Sequence, residues 1–377
     1  MKKKNVCVIT AARSEYGVLR WIIDEIQHDD KLKLQLVVTG SHLSSDFGYT
    51  YKEIELDGYD IDWKVEMLLS SSTRSGISKS MGLCSIGISD AFDMLKPDII
   101  VVLGDRYELL PICSVALLME IPLAHISGGD ITEGAIDDQV RNAITMMSTL
   151  HFPGVISSAD RIIQMLDSKK NVFVVGEPGL ENFKRLSLFS RESLAVSLNL
   201  DINNKWILVT QHPETKTSLE NNLVMASNIV KSLDVFDDIQ VVITKANADF
   251  GGKQINDYFE DISLKNSDKY KFHSSLGQLR YLSFMNEAFC IIGNSSSGIF
   301  EAPFLAKPVI NIGKRQKGRH LCKNVMSVSG FDDSIINAIK SVSSNSSLIE
   351  LSSDYYYGTG FSSKQIVGHL KDYLFEK

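Results

Sequence analysis

Ile99-Ile-Val-Val-Leu103 is an unbroken apolar run, mostly β-branched, that stops at Gly104-Asp105-Arg106. Nothing polar alternates within it, so neither face of a strand built here can meet water. Strands buried on both faces belong to parallel sheets covered by helices, and this single stretch therefore commits the chain to an α/β fold. Pro97 closes the helical pattern before it, and a second short run, Pro122 to Ile126, stops in the same way at Ser127-Gly128-Gly129-Asp130. In open α/β sheets ligands collect beyond the carboxyl ends of the strands, so Asp105 and Asp130 point to one crevice. Asp137 and Asp138 then open a helical pattern that passes Arg141 and Met147 and ends at Leu150-His151-Phe152. A plainer reading covers each acid singly: first-turn aspartates favour the helix dipole, Asp137 can pair with Arg141 at i,i+4, and Gly-Asp is ordinary turn chemistry. As a set they ask for more, because carboxylates that repel one another need a reason to cluster.

The rest of the chain repeats the alternation. Val6 to Thr10 reads as a first strand, followed by the loop Ala11 to Gly17 and a helix from Val18 to about Gln27. Strands Leu34–Thr39 and Ile61–Val65 and a helix over 78–96 lead to the central stretch. A helix near Ser157 to Leu166 and a strand Val172–Val175 close the first half at Gly176-Glu177-Pro178-Gly179, where Pro and Gly mark a linker. The second half reads as strands Trp206–Thr210, Gln240–Thr244, Lys271–His273, Phe289–Gly293 and Val309–Ile312 with helices between them. With 377 residues the chain exceeds one comfortable core. The expected architecture is two Rossmann-like, doubly wound parallel-sheet domains, residues 1–176 and 177–360, with a ligand cleft between them and a closing helix at about 364–377 returning to the first.

The net charge of -7 disfavours nucleic acid and polybasic membrane contact as partners. The five cysteines are dispersed without a CxxC pair, which fits a reducing cytoplasm. The N-terminus lacks a long apolar run, and Val115 to Met119 is too short to cross a bilayer. Asp60-Ile61-Asp62 resembles a metal-binding DxD but fits a half-exposed strand better, so no metal site is expected.

In the second half, Gly293-Asn294-Ser295-Ser296-Ser297-Gly298 meets the helix starting near Ile299, and hydroxyls with backbone N–H groups at a helix N-terminus suit a diphosphate. A capped helix behind a serine-rich turn is the bland alternative. GxSxG, Walker and GxGxxG patterns are missing, which weakens hydrolase, kinase and dinucleotide readings. His212, in Gln211-His212-Pro213-Glu214, can hydrogen-bond or protonate a phosphate oxygen at a strand end. Arg13 can meet an anion in the first loop, or simply pair with Glu15 at the surface. Glu301 can accept two ribose hydroxyls, or serve as a dipole-favoured acid, and Arg315, Lys317 and Arg319 form a basic loop.

These segments together resemble the hydrolysing UDP-N-acetylglucosamine 2-epimerase family, in the branch serving sialic and legionaminic acid synthesis. The likeness runs from the first strand to about residue 342 and rests on TAARSEYG, VVLGDRYE, HISGGDITEGAIDDQVRNAITMMSTLHF, VTQHPET, KANAD, SLGQLRYLS, GNSSSGIFEAP, KPVINIG and GKRQKGR. It implies a GT-B type fold and a reaction without metal or cofactor. It also implies that Arg13, His212, Ser295, Ser296, Ser297 and Arg319 hold the diphosphate and Glu301 the ribose, with Tyr16, Gln211, Lys245, Asn247, Gly298 and Arg315 as further nucleotide or substrate contacts. Asp105, Asp130 and Asp138, with His212, would be the catalytic set. Where the branch pattern carries His-Ile-His-Gly-Gly-Glu and Arg-His, this chain has Ser127, Asp130 and Asn142, which shortens one carboxylate and removes two imidazoles.

The expected chemistry is anti elimination of a nucleoside diphosphate from UDP-N-acetylglucosamine or UDP/GDP-N,N'-diacetylbacillosamine, then water addition with inversion at the sugar's second carbon. Crowding among the aspartates would raise the pKa of the base. Rivals are a non-hydrolysing epimerase, a GT-B glycosyltransferase and a non-catalytic nucleotide-sugar sensor. A cytoplasmic homo-oligomer, dimer or tetramer, completes the expectation.

Overall fold

Seven buried-to-half-buried residues, Lys4–Thr10, form the first strand, and the elements that follow alternate around it. The structure is a computed structural model that describes residues 2–70, 73–131, 136–214, 217–246, 251–344 and 355–376. In the first unit, β1 (Lys4–Thr10) leads to α1 (Arg13–Gln27), β2 (Leu32–Thr39), α2 (Tyr51–Leu56), β3 (Trp63–Val65), α3 (Arg74–Leu95), β4 (Ile99–Leu103), α4 (Leu109–Leu118), β5 (Leu123–Ile126), α5 (Asp137–Met147), β6 (Leu150–Phe152) and α6 (Ile156–Leu166). The strands are parallel in the order β3-β2-β1-β4-β5-β6. The order reverses between β1 and β4, and at such a switch point two neighbouring loops leave in opposite directions and open a crevice. One face of the sheet buries Val6, Val8, Val101 and Ile126 against Leu19, Ile22 and Ile26 of α1. The other buries Cys7, Ile9, Ile100 and Val102 against α3, α4 and α5. Both faces are dry, which is why β4 carries no polar residue.

The second unit spans Phe183–Tyr357. The short α7 (Asn182–Arg185) and α8 (Arg191–Leu198) precede β7 (Lys205–Thr210), α9 (Leu219–Asp234), β8 (Ile239–Thr244), α10 (Gly252–Lys265), β9 (Tyr270–His273), α11 (Gln278–Glu287), β10 (Cys290–Gly293), α12 (Ser297–Phe304), β11 (Val309–Ile312), β12 (Val325–Val328) and α13 (Ser334–Ser344). Its order, β12-β11-β10-β7-β8-β9, is the same winding with the switch point between β7 and β10. The last helix, α14 (Ser362–Phe375), belongs to the first unit, where Ile366, Val367 and Leu370 are core residues. Glu181 fastens its start, accepting from the Ser363 N–H at 2.9 Å and hydroxyl at 2.6 Å.

Four local expectations need correction. The stretch from Arg13 to Gly17 is the first turn of α1 rather than a loop, because the Glu15 carboxylate accepts the N–H groups of Ala11 and Ala12 and so satisfies donors at the helix start. Leu150–Phe152 is a buried strand rather than a helix end. Residues 172–175 make only an isolated bridge, His151 to Val172. The second sheet does not end at β11, since β12 pairs with it through Val325–Val328, a half-exposed edge strand with little apolar signal.

Candidate functional site

In the first unit the segments carrying Asp105, Asp130 and Asp138 come together on a buried cation. Arg141, on α5, is almost fully buried, and its Nη2 donates to Asp105 Oδ2 at the end of β4. Its Nη1 donates to Asp138 Oδ1 at 2.9 Å and to the main-chain carbonyl of Asp130 at 2.8 Å. The guanidinium thus collects the three segments that carry the acids. The spacing allows Arg141 to pair with Asp137 at i,i+4; the structure shows it on Asp138, one residue later. This also corrects the argument from crowding: a shared cation offsets the mutual repulsion, so like-charge proximity alone does not shape the cluster. Asp105 and Asp138 each keep about a third of their side chain open to solvent, 31% in both cases, so both remain able to reach a ligand.

The backbone around Asp130 is tightly fixed. Gly129 has φ 79°, and a Cβ there would lie 2.2 Å from the Ser158 carbonyl oxygen, so only glycine fits. Arg161 holds the Gly129 carbonyl at 2.5 Å, and the Ser158 hydroxyl donates to Asp130 Oδ1 at 2.7 Å. Ser127 takes a left-handed φ of 57° and donates to Glu177 Oε2 at 3.3 Å. His125 lies beneath, its Nε2 2.8 Å from the Gly104 carbonyl, with burial pushing its pKa down to about 3. It is a neutral structural ring.

In the second unit, three loops at the carboxyl edge converge on Asn294, which is fully buried. Its side chain accepts from the His212 N–H at 2.7 Å and donates to the His212 carbonyl at 2.9 Å. Its own carbonyl accepts from Arg315 Nη1 at 3.0 Å and Gln316 Nε2 at 2.7 Å. Glu214 completes the lock, its Oε1 taking the N–H groups of Lys314 and Arg315. Gly293, at φ 130°, lets β10 pass β7, since a Cβ would lie 2.1 Å from the Thr210 carbonyl oxygen.

The loop is thereby rigid, and it presents His212, Arg315 and the α12 N-terminus from neighbouring strand ends, the geometry of an anion site. His212 enters it neutral, with burial and then the nearby Arg315 charge lowering its pKa to about 4. The Ser297 hydroxyl is engaged by Tyr281 Oη at 2.5 Å and Ser295 Oγ at 3.0 Å. Ser296 caps α12 through its carbonyl, and Gly298 packs against Val309. Glu301 lies one turn on; burial raises its pKa to about 7, partly countered by Arg319, and its Oε2 has no hydrogen-bond partner among the described residues. Arg319 lies over the Phe300 ring at 4.8 Å and donates to Gln316 Oε1 at 2.6 Å. Gln211 is buried with both amide atoms lacking partners among the described residues, a group prepared for a ligand.

Two further expected site residues carry bonds within the first unit. Arg13 pairs with Glu53 at 2.9 Å and Tyr16 donates to Asp57 at 2.6 Å, so both tie α1 to the α2 segment. Lys245 is exposed after β8, and Asn247 lies outside the described residues. Sequence reasoning missed Asn294, Tyr281 and Gln316, whose side chains carry no signal until three strand ends are placed side by side.

The family pattern of UDP-N-acetylglucosamine 2-epimerase matches residues 24–371. The chain is 42% identical over 326 residues, 86% of its length and 84% of the relative's, to the GDP/UDP-N,N'-diacetylbacillosamine 2-epimerase (hydrolyzing) of Campylobacter jejuni subsp. jejuni serotype O:2. It is 31% identical over 341 residues, 89% of its length and 85% of the relative's, to the polysialic acid biosynthesis protein P7 of Escherichia coli. Among solved structures, a putative UDP-N-acetylglucosamine 2-epimerase from Listeria monocytogenes superposes with a TM-score of 0.82 at 16% identity, covering 100% of this chain and 98% of that one. The Neisseria meningitidis UDP-GlcNAc 2-epimerase bound to UDP-GlcNAc gives 0.74 at 18% identity, over 97% and 99%. At those identities the structures speak for the fold, GT-B-like with paired parallel sheets. The sequence matches speak for descent: the chain belongs to the UDP-N-acetylglucosamine 2-epimerase family.

Proposed function

We propose that this enzyme is a hydrolysing nucleotide-sugar 2-epimerase acting on UDP-N-acetylglucosamine or UDP/GDP-N,N'-diacetylbacillosamine. The observation that carries the reading is the gathering of the Asp105 and Asp138 carboxylates and the Asp130 main chain around one buried arginine in a chain of this family. A binding module for anionic ligands gains nothing from three extra carboxylates unless protons move. One carboxylate takes the proton from the sugar's second carbon as the bond from the first carbon to the diphosphate oxygen breaks, leaving an unsaturated sugar and free nucleoside diphosphate. Water then adds its hydroxyl to the first carbon, and a second carboxylate returns a proton to the opposite face of the second carbon. The departing charge is met by His212, Arg315, Arg319 and the α12 N-terminus, with Glu301 on the ribose. Burial keeps His212 neutral in the free protein, so it acts there as a hydrogen-bonding group. Relatives named as hydrolysing favour release of the diphosphate over its return to the sugar, and neither they nor the site favour glycosyl transfer.

The product would feed sialic or legionaminic acid synthesis, in a cytoplasmic homo-oligomer of two or four chains. Five buried, unbridged cysteines support a reducing compartment. Ile86 and Met94 on α3, Leu118 on α4 and Met146 on α5 are exposed apolar side chains that a second copy would cover.

Incubation with each candidate substrate in heavy water, followed by NMR of the freed sugar, tests the chemistry. Deuterium at the second carbon together with accumulating free nucleotide is expected. Product lacking that label refutes elimination.

A further inference from the structure

We propose that Arg106, held between Glu15 and Glu108, is a positioning residue that ties the loop after β1 to the loop after β4 and so sets the direction of the Asp105 carboxylate. Glu15 is 7% exposed, and its Oε2 accepts the N–H groups of Ala11 at 2.7 Å and Ala12 at 3.1 Å, which fixes the path of the chain out of β1. Its Oε1 lies 3.9 Å from Arg106 Nε. From the same guanidinium, Nη2 donates to Glu108 Oε1 at 2.5 Å, and Glu108, 1% exposed, immediately precedes α4. One cation therefore joins two buried carboxylates, one behind each of the strands between which the sheet order reverses. Asp105 precedes Arg106 directly. Anchoring the Arg106 side chain therefore restrains the adjacent Asp105, whose carboxylate is drawn by Arg141 of α5.

Stability alone is a poor reason for such a trio. Glu15 Oε1, Arg106 Nε and Glu108 Oε2 are all buried without a hydrogen-bond partner among the described residues. The Arg106 side chain is 37% exposed, but the two carboxylates it serves are buried with unmet atoms, and well-packed apolar residues would hold the edge of the sheet at least as firmly. What a forked guanidinium adds is direction. A reacting carboxylate needs that, because its usefulness depends on placement to within about 0.5 Å.

This inference rests on the proton-transfer role proposed for Asp105, and the test separates the two. Arg106→Gln and Glu15→Gln are made in the full chain, alone and combined with Asp105→Asn. Sugar release gives kcat and KM, and calorimetry gives UDP affinity. Each single change should lower kcat roughly 10- to 100-fold with UDP affinity unchanged, as a small misplacement of a reacting group does. On the Asp105→Asn background neither should cost anything further, because residues that act through one group are not additive. A full-rate Arg106→Gln or Glu15→Gln beside a slow Asp105→Asn overturns the positioning role alone, as does a loss that multiplies in the double variant. Asp105→Asn at full rate instead removes Asp105 from the chemistry. Glu15→Gln, nearly isosteric, supplies the readout should Arg106→Gln not fold.

Discussion

Glu301 and Glu15 carry the same electrostatic signature in separate units, a carboxyl raised by burial to about 7. A raised acid holds its proton in the folded chain where the unfolded chain has already released it. Between about pH 4.5 and pH 7 the folded state therefore carries more protons, and stability falls as pH rises through that window. Thermal melts at closely spaced pH values should show this decline in the wild type, and Glu301→Gln should make it shallower, leaving the share due to Glu15. A Glu301→Gln protein with the wild-type slope would mean that Glu301 is already ionised when folded. At this scale the sequence was only half readable. Asp105, Asp130 and Asp138 stood out because each follows a recognisable strand or opens a helix. The use of Arg141 did not, since a guanidinium on a helix reaches i+3, i+4 and neighbouring loops equally, and only the packed sheet selects among them. Glu15, for which a surface pairing with Arg13 was one of two readings, turned inward because the N–H groups of Ala11 and Ala12 needed an acceptor.

Among elements, the buried strands were legible wherever both faces are dry, as in β4, β7, β8 and β11. Short or half-exposed ones were not. β6 has three residues inside a stretch of helical character, and β12 shows a mixed pattern at the edge of its sheet. The loops that end these strands are constrained more by backbone than by side chains. Gly129→Ala should cost roughly 3 kcal/mol, because a Cβ there meets the Ser158 carbonyl and the backbone is left-handed. Denaturant titration measures it, and turnover should fall alongside through the displaced Asp130. A cost under about 1 kcal/mol would show that the loop relaxes freely.

Across the whole chain, repetition is the governing pattern: two sheets with the same winding order, the second reversing between β7 and β10, where His212 and Asn294 meet. The first is finished by residues from the far end of the sequence. Leu370→Ala, which empties a fully buried position under α1, should destabilise the first unit by about 2 to 5 kcal/mol, read as a lower midpoint for the transition that exposes its core. An unchanged midpoint would mean that α14 contributes little there.

Such an arrangement imposes a schedule on synthesis. A ribosome emits the sheet and helices of the second unit, Phe183 to Ser344, in one run, while the half begun earlier lacks the core residues Ile366, Val367 and Leu370 until Ser362–Phe375 arrives. Nascent chains stalled short of that helix should be bound by chaperones at their older half, the reverse of the usual order in which what is made first is sheltered first.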